Sequence, residues 1–186
     1  MLDKFIQIME ENDLRPEDIE KVKAQPHPMV QFRFAQENTL RTPDDYGFSA
    51  PYLFACAAHK ISPARWHDVD IKQDPKIQAY MQWLKPRLSV TIDEEDFGLA
   101  KLEDSKSFQT RIEVVAKGKS FRAASPHPKG GWHLDQLRNT DEELVRKFIE
   151  NARRVLPLDK ANLLAQTLLQ LEKAGNVAHV MDMVTP

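Results

Sequence analysis

Phe48-Ser49-Ala50-Pro51-Tyr52-Leu53-Phe54-Ala55-Cys56-Ala57-Ala58 decides how the rest of this chain must be arranged. Ser49 is a favourable N-cap and Pro51 lies in the first turn, so the run starts a helix. Tyr52 to Ala58 carries no charged residue. A helix that is apolar on every side has to be buried on every side. A domain this small rarely surrounds a helix completely, so the sequence predicts a partner domain or second subunit over one face.

The flanking segments supply the rest of an α+β fold. Leu2, Phe5, Ile6 and Met9 recur at helical spacing and predict an amphipathic helix over 2–12. Pro16 opens a turn, and Ile19 to Gln25 reads as a strand stopped by Pro26-His27-Pro28. Residues 35–46 are polar, with Pro43 and Asp44-Asp45, and read as a loop. Ser62-Pro63 starts a short segment containing Trp66. Asp74-Pro75 starts a helix with Ile77, Tyr80, Met81 and Leu84 on one face. Leu88, Val90 and Ile92 alternate with polar residues as a strand does. Phe108 to Val115 and Ser120 to Ala124 form a hairpin turning at Lys117-Gly118-Lys119.

Thr140-x-x-Glu143 is a capping box. Its helix directs Leu144, Val145, Phe148, Ala152 and Val155 toward a core. Pro157 separates it from a helix carrying Ala161, Leu164, Leu168 and Leu171, with Gly175 as the expected C-cap. Val177, Val180, Met181 and Val184 form a last short helix. The element order implies an α+β domain over 1–138 and a C-terminal helical segment over 139–186.

Apolar residues make up 41% of the 186 and charged residues 29%, the balance of a globular chain. Lys and Arg total 26 against 28 Asp and Glu, a formal net charge of -2. That balance argues against nucleic acid as a partner. No apolar run is long enough to span a membrane, and the N-terminus lacks the plan of a signal peptide. One cysteine, Cys56, excludes an internal disulfide and fits a reducing, cytoplasmic location.

Ser125-Pro126-His127-Pro128-Lys129-Gly130-Gly131-Trp132-His133 is the candidate site loop. Paired glycines allow close backbone approach, while imidazole and ammonium groups hold anions or move protons. A solvated surface turn is the plain alternative. Tyr52, in the first turn of the apolar helix, is either a core tyrosine or a hydrogen-bond partner for a carboxylate at the helix N-terminus. Cys56 reads as a small core hydrophobe with a raised pKa. None of His27, His59, His67, His127, His133 and His179 forms a His-x-x-x-His pair, and no Cys pair exists, so no metal is expected. Asp93-Glu94-Glu95-Asp96 reads as a solvated run rather than a cation site. No Gly-x-Ser-x-Gly elbow or Walker loop is present.

Three segments, taken in order, resemble one known family. They are Leu14-Arg15-Pro16-Glu17-Asp18-Ile19-Glu20-Lys21-Val22, Phe48-Ser49-Ala50-Pro51-Tyr52, and Pro128-Lys129-Gly130 followed by Thr140-Asp141-Glu142-Glu143-Leu144-Val145-Arg146-Lys147-Phe148. The set resembles the 2-methylcitrate dehydratase (MmgE/PrpD) family over roughly residues 2–184. Members of that family pair a large all-helical domain with a smaller α+β lid. They dehydrate, decarboxylate or epimerise small polycarboxylates by proton transfer, without a metal or cofactor.

The resemblance implies only the C-terminal portion, the lid and closing helices. The family's Lys…His segment would lie before Met1, and most of its catalytic residues have no counterpart here. It implies a separately encoded helical domain as partner, a small polycarboxylate as substrate, and no activity of the chain alone. Tyr52 matches the family's cleft-facing tyrosine and is the implied catalytic residue. Lys129 and Gly130 match its late loop, with His127 and His133 flanking it as implied substrate-binding residues. Two other readings stand beside this one: a non-catalytic, dimerising module with the lid fold, and an independent small enzyme using His127, Lys129 and His133.

Overall fold

A computed structural model describes residues 1–27, 40–91, 109–127, 129–130 and 135–184. The chain divides into two compact units, Met1–His133 and Leu134–Pro186. The described residues form a mixed α+β fold.

The first unit starts with α1, Leu2–Glu11, which buries Phe5, Ile8 and Met9. It ends where Asp13 adopts φ 46° and the Leu14 N–H reaches back to Met9 O at 2.9 Å. β1 is Ile19–Gln25, the strand the sequence predicts. The expected loop before the apolar helix contains a short helix, α2, Pro43–Gly47. Thr42 and Asp45 form its capping box, a signal hidden in a polar stretch. α3 is Ala50–Ala58, α4 is Val69–Gln73 and α5 is Pro75–Leu84. β2 is Leu88–Val90, β3 is Thr110–Ala116 and β4 is Lys119–Ser125. Ile92, Phe108 and the acidic run 93–96 lie outside the described residues.

The sheet order is β2-β1-β3-β4. β2 runs parallel to β1, while β3 pairs antiparallel with both β1 and β4. Lys117 and Gly118, at φ 51° and 68°, make the two-residue hairpin turn. Both central positions of such a turn need positive φ, which matches the right-handed twist of the strands. Val22, Ala24, Ile112 and Val114 face the core, and α1 packs against β3, β4 and α3.

α3 is buried within its own chain, which corrects the expected partner over one face. Ala50, Phe54, Ala57 and Ala58 enter a cluster with Phe5, Ile8, Val22 and Val114. Tyr52, Leu53, Ala55 and Cys56 enter a second cluster with Ile71, Ile77 and Met81. The helix is apolar all round because it separates two cores. Phe5 and Phe54 meet edge to face at 4.9 Å.

The second unit contains α6, Asp141–Ala152, α7, Leu158–Leu168, and α8, Val177–Met183. Its core is small: Leu156, Ala161, Leu164 and Val180, with Phe148 and Ala152 packed against them. Leu144, Val155, Leu168 and Leu171, expected to face a core, are exposed, Val155 by 68%. α7 ends at Leu168, well before Gly175, and among the described residues the glycines with positive φ are Gly118 and Gly130.

Candidate functional site

The strand register places one edge of the sheet apart from the other. At the hairpin edge the chain turns tightly. The Lys117 ammonium pairs with Asp18 at 3.1 Å, and the Gly118 N–H donates to Glu20 at 2.7 Å. At the opposite edge β1, β2 and β4 all end and β3 begins. Gln25 pairs with Arg111 across β1 and β3, Thr110 with Ser125 across β3 and β4, and Ala24 with Val90 across β1 and β2. His27 follows two residues after Gln25, and His127 two residues after Ser125. The two imidazoles therefore leave from strands on either side of β3, two strand spacings or roughly 10 Å apart at the backbone.

This edge collects most of the sequence-predicted loop residues. Ser125 Oγ donates to His127 O at 2.6 Å and closes the chain into a tight bend. Lys129 and Gly130 follow as an exposed turn, with Gly130 at φ 84°, a conformation that glycine adopts at no steric cost. His127 is half-buried. His133 lies outside the described residues.

Sequence reasoning missed His27 and Arg111 here. His27 is buried and Arg111 half-buried, and both join the edge through strand register. Pro26-His27-Pro28 had a signal only as a strand stop, because register cannot be read from one strand. An edge bearing two imidazoles, a guanidinium and an ammonium favours an anion.

Tyr52 is held by a different set of neighbours. Its hydroxyl donates to Trp66 O at 2.6 Å, and Trp66 Nε1 donates to Ile61 O at 2.8 Å. Tyr46 packs edge-on against its ring at 4.9 Å. These bonds tie the first turn of α3 to the segment that follows it. Burial, with a contribution from the Cys56 thiol, raises the Tyr52 hydroxyl above the ordinary phenol range. Burial pushes the Cys56 thiol up to about 11. Both groups are protonated at neutral pH, and Cys56 is no nucleophile in this state.

Among the described residues, no group of three His, Cys, Asp or Glu side chains is placed to hold a metal ion. Among them too, no helix is long and apolar enough to cross a membrane. No curated protein matches the chain. Residues 1–173 match the MmgE/PrpD C-terminal domain, a span that includes the whole first unit, α6 and α7. The chain belongs to the MmgE/PrpD family, as its C-terminal domain.

Proposed function

We propose that this chain is the lid-type part of a dehydratase-like protein acting on small polycarboxylates such as 2-methylcitrate. It works with a helical domain of the family's kind and turns over no substrate alone. The observation that carries this reading is the family match over residues 1–173. The cationic sheet edge supports it. Abstracting a proton beside a carboxylate needs a positioned base and cations to hold the carboxylate and the developing charge. In this reading Lys129 contributes a cation, His127 and His133 bind the ligand's carboxylates, and the Gly130 backbone lets the ligand approach. Tyr52, whose hydroxyl is given to Trp66, acts as a positioning residue for the N-terminus of α3.

The test is dehydration of 2-methylcitrate by the purified chain and by its co-expressed complex with a helical domain. Turnover by the complex alone is expected, and turnover by the isolated chain overturns the reading. Within the complex, Tyr52→Phe should lower the melting temperature and leave kcat unchanged. A tenfold or greater fall in kcat with unchanged melting would instead put Tyr52 against the reacting atoms.

A second reading, an association module, is favoured by one observation. Val155, Leu158, Leu163, Val177 and Met181 are exposed on the second unit. Light scattering that shows a dimer with no need of a helical partner would support it.

A further inference from the structure

The described helices that meet the sheet pack on one face of it; the other face has a charge bias. Strand alternation, with a bulge between Ile19 and Lys21, puts Glu20, Lys21, Lys23, Arg111, Glu113 and Arg122 on that face. Four cations stand against two carboxylates, in a chain whose formal net charge is -2. A solvated antiparallel sheet face usually mixes its signs, since cross-strand like charges repel.

The face also carries an open hollow. It holds about 280 Å³ and is lined by Lys23, Gln25, Arg111, Glu113, Arg122 and Ala124. Lys23, Glu113 and Arg122 form one cross-strand row, with Arg111 two residues along β3 from Glu113. At ordinary strand spacing the row spans roughly 10 Å, with Arg111 about 7 Å to one side. Glu113 orients this set. It accepts from Arg122 Nε at 3.1 Å and Nη2 at 2.9 Å, and from Ser120 Oγ. Those bonds, Ser120's first, hold its carboxyl below the usual carboxylate range. Arg122 uses two of its five N–H donors on Glu113, which leaves a planar fork for a second anion.

We propose that this hollow binds a small polyanion, a polycarboxylate or a phosphate, with Lys23, Arg111 and Arg122 as its counter-charges. Three cations set in a triangle suit a ligand carrying two or three anionic groups. The site stands on the sheet face and does not depend on the loop at 125–133.

Calorimetric titration of the full chain with citrate, and separately with inorganic phosphate, tests it. Saturable binding is expected in at least one arm, and the tighter arm identifies the source of the anion. Lys23→Gln and Arg122→Gln should each weaken binding by about tenfold, the effect of one charge-assisted hydrogen bond. Both side chains are exposed, so circular dichroism should be unchanged in either variant. Lys76→Gln, exposed on α5 and outside the hollow, should leave this binding intact. No saturable binding in either arm overturns the proposal. So does binding that survives both sheet variants, or that Lys76→Gln weakens as much as they do.

Discussion

Lys60 holds a backbone conformation that suits a lysine poorly. Its φ is 56°, directly after α3. There the Ile61 N–H reaches Cys56 O and the Lys60 N–H reaches Ala57 O, both at 3.0 Å. Glycine is the usual residue at such a helix end, because a Cβ in the left-handed region costs roughly 1–2 kcal/mol. Lys60→Gly should therefore stabilise the chain by about 1 kcal/mol, read as a higher urea midpoint with unchanged slope. Cys56 gives a second residue-scale expectation. Its thiol titrates at about 11 in the folded chain against an ordinary 9.0, so the folded state holds its proton more tightly. That contribution is complete below pH 9 and is lost as pH rises toward 11. Cys56→Ala should flatten this alkaline fall in the denaturation midpoint.

At the scale of elements, α3 joins two packing clusters, which also share Leu2, Trp66 and Tyr80 at their margins. Phe54→Ala should cost about 3–5 kcal/mol, as large core truncations do, measured by denaturant unfolding. The sequence was legible up to the helix itself: the Ser49 cap, Pro51 and unbroken apolar character all hold. What covers it was not legible. Ile71, Ile77 and Met81 return from downstream, and Val22 and Val114 from strands whose pairing no local window reveals. The candidate site divides the same way. Composition alone pointed to His127, Lys129 and Gly130, whereas His27 and Arg111 depend on β1, β3 and β4 being in register. Leu144 and Val155 were misread because their periodic stripe is wider than the small core that α6 meets.

At the scale of the molecule, two units of unequal strength share one chain. The first has two buried clusters and a four-stranded sheet, while the second has one cluster of four buried residues among those described. Local opening is easiest where few apolar contacts are buried. Amide exchange should therefore be at least about tenfold faster in α6 to α8 than in α3 and β3. Equal protection across both units would mean that something further covers α6 to α8.

The sheet gives the first unit a fixed end and a variable end. Asp18, Glu20, Lys117 and Gly118 bind one another at the hairpin edge, so a residue added there disturbs two strands at once. At the far edge, the connections after β1, after β2 and after β4 can lengthen or change sequence without altering a single ladder pair. New specificity can therefore arise at that edge by insertion, while the two cores inherit nothing of the change.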